Sequence, residues 1–98
     1  MQEQPKLDIN LSEEIAQGIY SNLAIITHSN AEFIVDFVAM MPGLPKANVK
    51  SRIVMTPQNA KRFLNALSDN IHKFEEKNGK IKETAVEIPI IGNNGALA

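Results

Sequence analysis

The side chains that could do chemistry are few and far apart in this chain. His28 and His72 are the two imidazoles, they form no HxH or HxxxH pair, and there is no cysteine. Zinc needs three or four converging ligands, so no metal site is expected and both histidines are expected at the surface. Ser29, His28 and Asp36 could be written as a nucleophile, base and acid, but no strained nucleophile turn or oxyanion motif accompanies them. Asp36 instead reads as a structural ion inside an apolar strand, with Arg52 on a neighbouring strand as its partner. The glycines at 18, 43, 79, 92 and 95 are spaced as turn residues and build no phosphate-cradling loop. Neither a catalytic residue nor a cofactor is therefore expected, and the chain does not read as an enzyme. The positive lead is anionic. Lys50 and Arg52 precede Thr56-Pro57, a helix start whose free N–H groups favour an anion, and Lys61 and Arg62 follow one turn later. A phosphate, a nucleic-acid backbone or an acidic peptide suits such a patch. No aromatic lies beside it to stack a base, which places nucleic acid behind a protein partner.

The elements that would carry these residues follow from periodicity and punctuation. With 98 residues, 44% of them hydrophobic and 21% charged, the chain is sized and composed for one globular domain. It has no Trp, one Tyr and four Phe, so its core must be mostly aliphatic. Ten basic against eleven acidic residues exclude a polycation that grips nucleic acid non-specifically. Leu7, Ile9 and Leu11 alternate with Asp8 and Asn10, a half-buried strand pattern. Ser12-Glu13-Glu14 resembles a helix start, stopped by Gly18. Two strands are expected over residues 19–27 (IYSNLAIIT) and 33–41 (FIVDFVAMM), joined by the polar turn at 28–32. Two prolines and a glycine at 42–45 break the pairing, and residues 49–55 (VKSRIVM) form a further strand. Thr56 then caps a helix with Pro57 at its first position, and Asn78-Gly79 ends it about 22 residues on, roughly 33 Å away. Within it Ala60, Phe63, Leu64, Leu67, Ile71 and Phe74 make one apolar stripe.

The fold expected is α+β, an antiparallel meander of three to four strands followed by one long C-terminal helix packed across the sheet. Residues 1–79 form this domain, and 80–98 form an arm in which Pro89 allows an edge strand at 84–91. Residues 1–6 show no basic region leading into an apolar run, and residues 33–44 fall far short of the ~20 a membrane span requires, so a soluble, cytoplasmic protein is expected.

Both sheet faces are apolar, and one helix stripe covers only one of them. A loop of two or four residues puts Ile26 on the face of Phe33, and a loop of three puts Ile25 there. Ile26, Ile34, Val38 and Met40 are the residues expected to meet a second copy, giving a homo-oligomer; the arm folding back over the same face is the alternative. The long helix also carries its bases early and its acids, Glu75 and Glu76, late, against its own dipole. Two such helices antiparallel about a two-fold near Ser68 would set Lys61 and Arg62 opposite Glu75 and Glu76.

Three ordered blocks, GIYSNLAIITHS with EFIVDF, PGLPKANVKSRIVMTPQNAKR, and LxxNIxxFEE, span residues 18–76. Together they resemble a family of prokaryotic proteins of about a hundred residues described as a domain of unknown function. The resemblance implies a stand-alone bacterial or archaeal protein and brings no substrate, cofactor or catalytic residue. In architecture alone, a meander with a long helix is similar to the bacterial export chaperone that holds unfolded preproteins. The function expected is a non-enzymatic binding or scaffold module that pairs with itself and with polypeptides.

Overall fold

Polar chemistry at 29–32 closes the first hairpin and thereby sets the register of everything after it. In the computed structural model, which describes residues 6–43, 45–83 and 96–97, the amide of Ser29 donates to the carbonyl of Glu32 at 2.9 Å. The Ser29 hydroxyl accepts from the amides of Ala31 and Glu32, each at 3.1 Å. This side-chain turn joins β1 (Leu23–His28) to β2 (Phe33–Ala39), with His28 paired to Phe33 and their rings stacked at 5.4 Å. The loop has four residues, so Ile26 lies opposite Val35 on the face of Phe33. At the other end the Asn22 side chain stands in for a strand residue. It accepts from the Met40 amide at 2.7 Å and donates to the Met40 carbonyl at 2.9 Å.

The third strand, β3 (Asn48–Met55), pairs antiparallel with β2 and carries one irregularity. Phe37 pairs with Ser51 and Val38 with Val49, which leaves Lys50 as the extra residue of a bulge. At the far edge β4 (Ala96–Leu97) adds to β1, and the sheet order is β3-β2-β1-β4. The edge strand expected at 84–91 lies outside the described residues. Register divides the side chains into a Val35 face, with Ile26, Phe33, Phe37 and Ile53, and an Asp36 face, with Ile25, Ile34, Val38 and Arg52. Among the described residues the buried hydrophobics are Val35 and Val38, at 4% and 3% exposure, one for each face of the central strand.

The segment before β1 departs from the strand expected there. Leu7, Ile9 and Leu11 are in no strand and stand 69 to 84% exposed. Alternation gives a segment two faces, but a strand also needs a hydrogen-bonding neighbour, and the described chain offers it none. Ser12 caps a single helical turn, α1 (Glu13–Ala16), by accepting from the Ile15 amide at 3.2 Å, and Gly18 leaves it at φ 78°. The chain reaches β1 only at Leu23, four residues later than the apolar run begins.

The long helix, α2 (Pro57–Asn78), has the expected boundaries: Thr56 accepts from the Asn59 amide at 3.1 Å, and Gly79 follows at φ 87°. The α+β class holds, with the meander followed by this helix. Packing of the helix across the sheet does not. No residue of α2 is buried, and it makes no extended contact with the strands. The cause is the connection. A single residue, Thr56, links β3 to α2 with an extended backbone at φ −69° and ψ 155°, so the helix runs on from the strand. Folding back over the sheet would take a reversing loop of several residues.

Candidate functional site

Asp36 sits at the middle of the central strand, and antiparallel register sets Arg52 of β3 directly across from it. The guanidinium grips the carboxylate at two points, Nε to Oδ1 at 2.7 Å and Nη2 to Oδ2 at 2.9 Å. The acid side chain is 12% exposed and the base 63%, so the pair has a covered end and a wet end. Hydrogen bonding from Arg52 holds the Asp36 carboxyl below the usual carboxylate range; burial works against this shift, and the nearby positive charge adds to it. Arg52 is pushed up by the same contact.

The pH consequence follows from these signs. A carboxyl whose folded value is lowered stabilises the fold above its unfolded value, about 3.9, and loses that contribution as pH falls through the folded value. In Arg52→Met the carboxylate keeps its burial and loses its partner, so its value moves upward instead. The stability deficit of this variant should be largest at pH 7, narrow as acid protonates the orphaned Asp36, and be smallest below the lowered native value. Urea denaturation at pH 7, 5 and 3 checks this, and a deficit equal at all three values would contradict it.

The pairing also redraws the anionic lead. Of its five residues, Arg52 is engaged by Asp36 and the Thr56 hydroxyl by the Asn59 amide. Lys50 projects from the bulge, and Lys61 and Arg62 stand exposed on the first turns of α2. His28 is exposed at the hairpin, beside Phe33, and His72 is exposed on α2. No group of three His, Asp or Glu among the described residues is placed to hold a metal ion.

The residues expected at an interface are divided by the sheet. Ile26 lies on the Val35 face, whereas Ile34 and Val38 lie on the Asp36 face, and Val38 is already buried within the chain. Met40 is half-buried beyond the end of β2; Glu75 is half-buried and Glu76 exposed on α2. Glu75 is partly occupied, since its Oε2 accepts from the Ile81 amide at 2.9 Å.

Sequence reasoning missed one feature, a cavity of about 360 Å³ on the Val35 face between the α1 segment and the sheet. Ile15, Gly18, Ile19, Phe37 and Ile53 line it, with Glu14 as its single ionisable side chain. Its size suits a small ligand, but one carboxylate makes no acid and base pair. The apolar spacing of Ile15 and Ile19 was the available signal. More conspicuous is α2, on which Phe63, Leu64, Leu67, Ile71 and Phe74 are all 39 to 64% exposed.

The family described as "Protein of unknown function (DUF3467)" matches residues 1–83. The chain belongs to this family. The family match takes in α1, the three-stranded meander and the whole of α2, including the apolar stripe and the Asp36–Arg52 pair. No curated protein and no solved structure matches the chain. No helix among the described residues is long and apolar enough to cross a membrane.

Proposed function

We propose that the protein is a non-enzymatic scaffold or binding module that works as a homo-oligomer and offers apolar surface to polypeptide partners. One observation carries the reading: α2 has the spacing of a buried amphipathic helix and buries no residue in its own chain. At ~25 cal/mol per Å², leaving several large apolar side chains in water forgoes several kcal/mol that association recovers. The sheet supplies the rest of the surface, with Ile53 on one face and Val54 on the other both exposed. Anion binding through Lys50, Lys61 and Arg62 has less support, because Arg52 and Thr56 are committed within the chain.

Light scattering on the full chain at 50 and 200 mM salt tests the proposal. The expected mass is at least twice that of one chain at both salts, because apolar burial is little screened. A monomer at micromolar concentration would overturn the homo-oligomer. Tight, steeply salt-dependent retention of a nucleic acid by such a monomer would favour the anionic reading instead.

A further inference from the structure

The stripe on α2 has a stricter order than amphipathicity requires. Leu64, Leu67, Ile71 and Phe74 recur at intervals of three, four and three, which is a heptad seam. Leu64 and Ile71 take its first core position, and Leu67 and Phe74 its second. Lys61, Ser68 and Glu75 fall along one flank of this seam; Phe63, Asn70 and Lys77 fall along the other. We propose that a second copy of this chain occupies the seam with its α2 antiparallel, so that Leu67 of each copy packs on Ile71 of the other and Leu64 on Phe74. This rests on the homo-oligomer reading and adds the surface, direction and register.

Charge selects the direction. Antiparallel helices bring like flanks together, so Lys61 meets Glu75 of the second copy twice, and Ser68 meets its own counterpart beside the two-fold. On the other flank Phe63 lies under the alkyl stem of Lys77 of the second copy. A parallel pair faces unlike flanks, Phe63 with Ser68 and Asn70 with Glu75, and forms no ion pair. The helix dipoles agree. The first turn of α2 contains no acid, and Lys61 and Arg62 lie early while Glu75 and Glu76 lie late; Lys77, in the last turn, is the base that suits the helix's own dipole. Each set is misplaced for its own helix and well placed for an antiparallel neighbour, whose opposite end lies alongside. Arg62 and Glu76 point away from the seam and act only through this longer-range field.

The surface is large enough. Phe63, Leu64, Leu67, Ile71 and Phe74 leave about 500 Å² exposed per copy, so their full burial removes roughly 1,000 Å² across a pair, the threshold for a biological interface, before the flanking residues are added.

The absence of cysteine makes a direct distance test possible. Spin labels on Ser68→Cys should lie within about 20 Å of each other in the dimer. Labels on Gln58→Cys should lie roughly 30 Å apart or more, given 1.5 Å per residue along opposed helices. Comparable short distances at both positions overturn the antiparallel arrangement. Long distances at both, in a chain whose mass is still oligomeric, overturn the helix seam and leave the homo-oligomer standing. A monomeric mass for the unlabelled chain removes both. Charge exchange is a second readout that needs no label: Lys61→Glu should raise the dissociation constant about tenfold, and adding Glu75→Lys should restore it. Failure of the double variant to recover counts against the register.

Discussion

Leu67→Asp is expected to leave the protein folded and make it monomeric. In the single chain Leu67 is 47% exposed, so the carboxylate meets water there and costs a few tenths of a kcal/mol in helix propensity. In the paired state the same change removes two leucines from the seam and places two carboxylates on Ile71 side chains near the two-fold. The lost burial and the unpaired charges together amount to at least about 4 kcal/mol, a thousandfold or more in the dissociation constant. Sedimentation equilibrium with circular dichroism separates the outcomes. Unchanged mass would show that the seam is not an interface. Loss of helix at every concentration would show that Leu67 holds the single chain together, contrary to its exposure.

Val35→Ala acts on the other kind of surface and is expected to destabilise the chain by about 2 to 3 kcal/mol. Val35 lies on the central strand between Ile26 and Ile53, at 4% exposure. Truncation removes about two methylene equivalents of buried surface and leaves a gap that two flanking strands cannot both close. Chains of this length are stable by roughly 5 to 15 kcal/mol, so the loss is a large share of the total. The same truncation at Val54, which is 51% exposed, should cost well under 1 kcal/mol. Urea midpoints at one fixed protein concentration check the pair, since association makes apparent stability concentration-dependent. Equal losses at the two positions would mean that the Val54 side of the sheet is covered in solution.

What was legible in the chain depended on whether the deciding contacts were local. The bounds of α2 were legible because Thr56, Pro57 and Gly79 act on the backbone within a turn of themselves. The three-strand meander was legible from apolar runs and a polar turn, and the pairing of Asp36 with Arg52 from the cost of an acid in an apolar strand. The hairpin register stayed open because the polar stretch at 28–32 is compatible with several loop lengths; the Ser29 hydroxyl bonds decide it. Leu7, Ile9 and Leu11 were misread for a related reason, since alternation describes a strand's faces and says nothing of its edges. The placement of α2 was not legible because a stripe marks the apolar side of a helix without stating whether the chain can fold back to cover it. That information lay in the single-residue link at Thr56, a matter of loop length and not of periodicity.

The bulge at Lys50 bears on whether the sheet can be extended. It lies in the outermost strand of the sheet, where an unbroken row of free N–H and C=O groups would template a further strand. An unpaired residue there interrupts the row and increases the local twist, and its lysine brings charge to the same spot. Growth along the hydrogen-bonding direction is therefore disfavoured on that side, whereas the two-fold pairing proposed for α2 would close on itself. The exposed apolar surface of the helix is thus kept apart from an edge that would otherwise extend the sheet strand by strand.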